Sequence, residues 1–323
     1  MSYQNKQPLV SVVIPVYNDQ RFLRLAVNSI VGQTYKNLEI LIVNDCSTDQ
    51  TNQIISELKK RDERVKEISI DENRGIANAL NCGFNHSKGE FIARMDSDDV
   101  ALPNRIEVQL NQMLHNPKLD ILGSAIFIID SENKIIGKRS YPRSDRDIRS
   151  SLYYQCPFAH PSVVFRKRIL KEPFIYSTEY LFAEDYELWL RLSSKGYIFE
   201  NQVEPLICYR LRESSGKREK YVETQGKNTL SALMTHAPNE NKKFPKFKSF
   251  QVSSIQIVEA VNGLLIEVRK RRYLKAVTKL IFNLIKSPSR YTRALLVRYE
   301  SRLKKASERE NRLVKIHISS LEK

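Results

Sequence analysis

Apolar positions along this chain switch repeatedly between two periods. Leu9–Val16 is a short run rich in β-branched residues, the composition of a strand buried on both faces. Helical spacing follows at Phe22, Leu23, Ala26, Val27, Ile30 and Val31. Leu38–Val43 is a second strand, and Ser47, Thr48 and Asp49 offer caps to a helix carrying Ile54, Ile55 and Leu58. Val65–Ile70 predicts a third strand and Gly75–His86 a short helix. Glu90–Met95 predicts a fourth strand that runs into Asp96-Ser97-Asp98-Asp99. This β-α-β-α-β-α-β order predicts an α/β fold, a Rossmann-like mixed, mostly parallel sheet flanked by helices.

Past the acidic cluster the pattern loosens. Pro103–Asn116 predicts a helix, Ile121–Ile129 a strand, Lys134–Arg139 a hairpin arm and Ser162–Arg166 a short strand. Glu184–Lys195 is an amphipathic helix with Gly196 just past its end, and Val203–Tyr209 closes the strands. The expected division is a first domain at 1–215, a connecting segment at 216–250 and a basic amphipathic helical region at 251–323. In that region Ile257, Val258, Val261, Leu264, Leu265 and Val268 recur at helical spacing, Pro288 interrupts, and a last helix spans Tyr291 to Ile316.

Charge sharpens the division. The 323-residue chain has a net charge of +16, of which residues 240–323 supply +14, from 21 Lys and Arg against 7 Asp and Glu. Such a region suits an anionic surface. No nucleic-acid partner is expected, because no binding motif accompanies the basic run and aromatics are not interleaved with it. A membrane interface fits better, at ~1 kcal/mol per basic residue near anionic lipid. Packing of the apolar stripe onto the first domain is the competing reading, and the same helices are candidate dimer elements. The longest apolar runs fall well short of the ~20 residues of a spanning helix. Met1–Gln7 has no signal-peptide character. Cys46, Cys82, Cys156 and Cys208 are too scattered for a zinc site and read as reduced thiols. The expectation is a cytoplasmic protein, peripheral on the inner face of the cell membrane.

Ligands of open α/β sheets bind beyond the carboxyl ends of the strands. Asp45 follows the second strand, Arg74-Gly75 the third, and Asp96–Asp99 the fourth. Neither G-x-G-x-x-G after the first strand nor G-x-x-x-x-G-K-[ST] is present, so a bound diphosphate needs another source of positive charge. Closely spaced aspartates provide it by holding a hard divalent cation, Mn²⁺ or Mg²⁺.

These residues resemble those of the family 2 glycosyltransferases, with their glycosyltransferase A-type fold. The resemblance rests on Val13-Ile14-Pro15-Val16-Tyr17-Asn18, Val43-Asn44-Asp45-Cys46-Ser47-Thr48-Asp49, Asn73-Arg74-Gly75 and Met95-Asp96-Ser97-Asp98-Asp99. It continues through His160-Pro161-Ser162 and Ala183-Glu184-Asp185-Tyr186-Glu187-Leu188-Trp189-Leu190, in family order. It implies an inverting transfer from a nucleotide-diphosphate sugar, a UDP-sugar first among the donors, to the hydroxyl of a glycan or lipid-linked glycan of a bacterial surface polysaccharide. By resemblance, Pro15, Tyr17 and Asp45 contact the base, Arg74 supports base or diphosphate, Asp96 holds the ribose, Asp98 the metal, and Asp185 is the catalytic base.

Plainer readings stand beside these. Asp49 reads as a helix cap and Asp99 as a supporting charge; Glu184 competes with Asp185 as base. His160 and Trp189 are packing residues or acceptor contacts. Arg212 stands where relatives often carry histidine after Tyr-Arg; it cannot ligate a metal but suits the diphosphate. A catalytically silent sugar-nucleotide binder is the alternative function, and Asp185 argues against it.

Overall fold

The computed structural model describes residues 7–152, 155–171, 175–212, 218–236, 314–315 and 317–322. Strands β1 (Val10–Val16), β2 (Leu38–Asn44), β3 (Val65–Ser69) and β4 (Phe91–Arg94) run parallel in the spatial order β3-β2-β1-β4. Strands β5 (Val100–Ala101), β6 (Ile121–Ile129), β7 (Ile135–Arg139), β8 (Val164–Arg166) and β9 (Phe199–Arg210) extend the sheet. There β8 is antiparallel to β4 and β6, and β9 runs parallel to β6 but antiparallel to β5. The mixed α/β sheet inferred from the sequence is the observed one.

The helices are α1 (Leu23–Val31), α2 (Thr51–Arg61), α3 (Ile76–His86), α4 (Arg105–His115), α5 (Asp145–Ser151), α6 (Glu184–Ser194) and α7 (Arg218–His236). Alternation along β1 sorts them onto two faces. Val10, Val12, Ile14 and Val16 pack with Leu23, Ala26 and Ile30 of α1, Ile55 and Leu58 of α2, and Leu110 of α4. Val13 shares the opposite core with Leu80 and Phe84 of α3 and Leu188 and Trp189 of α6. Pro15 is tolerated in this central strand because the ladder with β4 ends at Val13 and Arg94, leaving no partner for the missing N–H.

Three elements lie outside the sequence expectation. β5 has two residues, too short for a period. α5 has one buried apolar side chain, Ile148, and starts where the Ser144 hydroxyl accepts from Asp147 N at 3.2 Å. α7 occupies much of the stretch expected as a connector, burying Ala232 and Leu233 in the core that contains α6. The boundary correspondingly moves from 215. One compact unit comprises residues up to 237 together with 317–323, and a second spans 238–316. The chain's last residues therefore belong to the first unit: Asn28 Nδ2 donates to Leu321 O at 3.0 Å, His317 Nε2 lies 3.1 Å from Ala101 O, and Asn133 Nδ2 donates to Glu322 Oε1 at 3.2 Å. The basic helices expected between 251 and 316 lie outside the described residues, apart from Val314 and Lys315.

A buried carboxylate locks the start of the sheet. Glu39 of β2 accepts from Ser11 Oγ at 2.5 Å and Lys88 N at 2.6 Å, and Ser11 Oγ in turn accepts from Gly89 N at 2.8 Å. Burial pushes the Glu39 carboxyl up, but these bonds and the Lys66 ammonium outweigh it and hold its pKa below the ordinary glutamate value. A carboxylate depressed on folding contributes stability above its unfolded pKa and loses it as pH falls through its folded pKa. Urea unfolding from pH 7 to pH 3 should therefore show a smaller acid loss in Glu39→Gln, whose stability at pH 7 is already reduced. Parallel losses in both proteins would refute the assignment.

Candidate active site

The loops after β1 and β2 form one rigid rim. Asn18 and Cys46 both adopt left-handed backbone, at φ 50° and 60°. Asn18 donates its N–H to Ser47 Oγ, while its Oδ1 accepts from Thr48 N at 2.7 Å. Buried Asp45 spends both oxygens on the start of α3, accepting from Arg74 N at 3.0 Å and Gly75 N at 2.8 Å. Gly75, at φ 83°, has the backbone only glycine adopts freely. Tyr17 stands 49% exposed at the rim. The Arg74 side chain turns outward onto Glu72 at 2.6 Å, so its backbone rather than its guanidinium meets Asp45. Asp49 lies one residue before the cap position of α2, Gln50, and its Oδ1 accepts from Thr51 N, the first helical residue, at 2.9 Å.

Every aspartate after β4 meets an arginine. Asp96 pairs with Arg94 at 2.6 Å. Asp98 Oδ2 is bonded by Arg212 Nε, and the same guanidinium donates through Nη2 to Asp19 Oδ2 at 2.5 Å. Asp99 is fully buried and accepts from Arg210 N at 2.8 Å, while its Oδ2 has no partner. Burial and the neighbouring Asp96 and Asp98 push the Asp99 carboxyl well up, as expected of a supporting residue rather than an open ligand. The guanidinium carbons of Arg210, Arg21 and Arg212 lie 4.2, 4.8 and 5.5 Å from the Phe22 ring centroid.

Asp98 decides whether a cation fits. None of the described residues bonds its Oδ1, and among the described residues no cluster of three or more ligand side chains exists. A single free carboxylate oxygen suits a hard cation that takes most of its ligands from substrate phosphate and water.

Glu184 and Asp185 open α6, where the unpaired N–H groups of the helix favour negative charge. Asp185 accepts from Tyr186 N at 2.7 Å and from the Cys156 thiol at 3.7 Å. Burial raises the Asp185 pKa, and burial with the adjacent Asp185 charge pushes Glu184 up to about 7. His160 Nε2 lies 2.8 Å from Tyr176 OH. Burial, seconded by the Arg94 charge, holds this imidazole neutral, so the phenol donates to it. Trp189 is 0% exposed, stacked on Phe165 at 5.8 Å and edge-on to His160 at 6.0 Å. It therefore presents no face to an acceptor, and the stacking reading gives way to core.

The comparisons with known proteins bear directly on this arrangement. The family model described as glycosyl transferase family 2 matches residues 11–174. An uncharacterised glycosyltransferase of Haemophilus influenzae is 30% identical over 309 residues, 90% of each chain. The chain belongs to the family 2 glycosyltransferases. An Escherichia coli relative, named a UDP-Glc:alpha-D-GlcNAc-diphosphoundecaprenol beta-1,3-glucosyltransferase, is 31% identical over 67% of this chain and 82% of its own. The mannosyltransferase of Pyrobaculum calidifontis, solved with GDP-Man and Mn²⁺, superposes with a TM-score of 0.55 at 15% identity. That superposition covers 98% of this chain and 86% of the other, and shows a shared fold. No helix among the described residues of this transferase is long and apolar enough to cross a membrane.

Within the site, sequence reasoning missed Arg94, Asp19, Phe22 and Tyr176. Arginine ending the apolar strand Phe91-Ile92-Ala93-Arg94 was a readable signal, since a charge there must find a buried partner. Asp19 and Tyr176 carried none, because their partners come from distant parts of the chain.

Proposed function

We propose that this glycosyltransferase carries out an inverting transfer from a nucleotide-diphosphate sugar, a UDP-sugar first among the candidates, to an acceptor hydroxyl. The observation that carries it is the Asp98 carboxylate just beyond β4: one Arg212 guanidinium bonds its Oδ2 together with Asp19, while its Oδ1 takes no bond from the described residues. The rim of Pro15, Tyr17 and Asp45 receives the base and Asp96 the ribose. Asp98 would hold a divalent cation through its free oxygen, and that ion supplies Lewis-acid stabilisation of the departing diphosphate. Arg212, already shared between Asp98 and Asp19, supplies a planar cationic fork that suits phosphate oxygens. On the other side Asp185 takes the proton from the acceptor hydroxyl as its oxygen attacks the anomeric carbon and the bond to the diphosphate breaks. The name of the Escherichia coli relative supports a UDP donor and a lipid-linked glycan acceptor. That acceptor would place the enzyme at the inner face of the membrane.

Calorimetric titration with UDP, GDP, dTDP and CMP, each with and without Mn²⁺, tests the donor site. One nucleotide should bind, more tightly with Mn²⁺, and Asp98→Asn should erase the metal's contribution. Because one protein oxygen is a poor cage, Mn²⁺ alone should give little heat. Failure of all four nucleotides to bind a folded protein would overturn the reading.

A further inference from the structure

Helix α6 carries Glu184 and Asp185 in its first turn, yet its own sequence does little to fix where it starts. The residue at its N-cap is Ala183, which has no side-chain acceptor for the free N–H groups of that turn. Just before it the chain makes a tight turn, closed by Ala183 N donating to Tyr180 O at 2.8 Å, with Phe182 left-handed at φ 65°. Four non-glycine residues have positive φ among the described residues. Two of them, Asn18 and Asn133, are asparagines, which tolerate that region; Cys46 lies on the donor rim, and Phe182 stands three residues before Asp185. A bulky residue stays left-handed only where its surroundings impose it.

Those surroundings come from α7. Gln225, Asn228, Ala232 and Thr235 are spaced i, i+3, i+7 and i+10, which places them on one stripe of the helix. Gln225 Nε2 donates to Phe182 O at 3.0 Å and Asn228 Nδ2 to Leu181 O at 2.9 Å. Ala232 is buried in the core shared with α6, and Thr235 Oγ1 lies 3.4 Å from Tyr180 OH. One residue on, His236 Nε2 lies 2.9 Å from Oε1 of Glu187, a buried carboxylate of α6 that also accepts from Arg191 Nε at 2.7 Å. Two carboxamides of α7 thus hold two consecutive carbonyls of the strained turn.

We propose that Gln225 and Asn228 are positioning residues, holding the Leu181–Phe182 turn in its left-handed form and thereby fixing the first turn of α6, from which the Asp185 carboxylate is aimed. The direction of that carboxylate follows the backbone, because its Oδ1 accepts from the N–H of the next residue, Tyr186, at 2.7 Å. That Asp185 is the base rests on the transfer reading; the hold on the turn does not. A helix that only covered the core would bury Ala232 and Leu233 with any polar residues at 225 and 228, so the two carboxamides separate the roles.

Gln225→Glu and Asn228→Asp keep the side-chain shape but remove the donor, since an ionised carboxylate has no N–H to give a carbonyl. Amide hydrogen exchange of wild type, each single variant and the double variant reads the turn without any ligand. Residues 180–187 should exchange about tenfold faster in the double variant, which lacks two hydrogen bonds, while β1 and β2 exchange as in wild type. Turnover is read as UDP released from UDP-glucose with GlcNAc-diphosphoundecaprenol, the donor and acceptor in the name of the Escherichia coli relative. It should fall by ~10²-fold, the loss expected from misplacing a catalytic group by about 1 Å, with UDP affinity by calorimetry unchanged. Exchange of 180–187 unmoved in the folded double variant, or turnover and UDP affinity falling together, overturns the proposal. If the double variant does not fold, as judged by circular dichroism, Asn228→Asp decides, with a smaller acceleration. Where the wild type does not turn over this donor and acceptor, the exchange result decides. A wild type that binds none of the four nucleotides defeats the transfer reading and leaves the exchange result standing.

Discussion

Asp185→Asn should lower sugar transfer by ~10²–10⁴-fold, the range of general-base assistance, while leaving nucleotide binding intact. The carboxylate sits on α6, and the groups proposed to bind the nucleotide sit at the ends of β1, β2 and β4, so on that reading the substitution removes a proton acceptor and no donor contact. Glu184→Gln is the necessary companion. Glu184 is pushed up to about 7 by burial and by the Asp185 charge, so much of it is protonated at neutral pH and it is the poorer choice for a committed base. Its amide variant should lose less than the ~10²-fold that marks the lower end of that range. The wild-type rate should fall as pH drops through a limb above the usual aspartate range, because burial raises Asp185 and the base must be ionised. Release of nucleoside diphosphate with acceptor present measures all three. A larger loss in Glu184→Gln than in Asp185→Asn would exchange the two roles.

Arg212→Ala should weaken donor binding by ~10–100-fold at low metal, since charged hydrogen bonds contribute about 1.5–3 kcal/mol each. The same change frees the second oxygen of Asp98 and strips Asp19 of its cationic partner, leaving that buried carboxylate with the Ser97 hydroxyl at 2.6 Å. Binding in the variant should consequently depend more steeply on Mn²⁺ than in the wild type, and Arg212→His, which restores a ligand-capable side chain, should steepen it further. Calorimetry across a metal series gives the slopes. If the variant and wild type show identical metal dependence, Arg212 does not share the diphosphate with the cation.

Much of the fold was legible because β1, β2 and β4 are buried on both faces and must read as continuous apolar runs, while α1 and α3 show one apolar face. Asp45 and the Asp96–Asp99 run were visible for a related reason: carboxylates directly after such strands stand at the sheet's open edge. What escaped was settled by tertiary contact. α7 has a glycine, Gly226, in mid-helix and little apolar periodicity, so its helix depends on burial of Ala232 and Leu233. Arg74 was expected to support base or diphosphate; that its peptide N–H also bonds Asp45 is set by local backbone that residue identity does not encode. Trp189 stands one turn from Asp185, but its indole is buried and stacked on Phe165 of β8.

The return of the chain's last described residues to α1, β5 and Asn133 has a consequence during synthesis. Residues 238–316 carry 20 Lys and Arg against 6 Asp and Glu, a net of +14, and all of them leave the ribosome before His317. At about 5–20 residues per second this delay lasts roughly 4–16 s. Through that interval the side chain of Asn133, whose Oδ1 takes Arg210 Nη2 at 2.7 Å, lacks its Glu322 partner. The basic stretch is therefore synthesised before the last residues that complete the first compact unit.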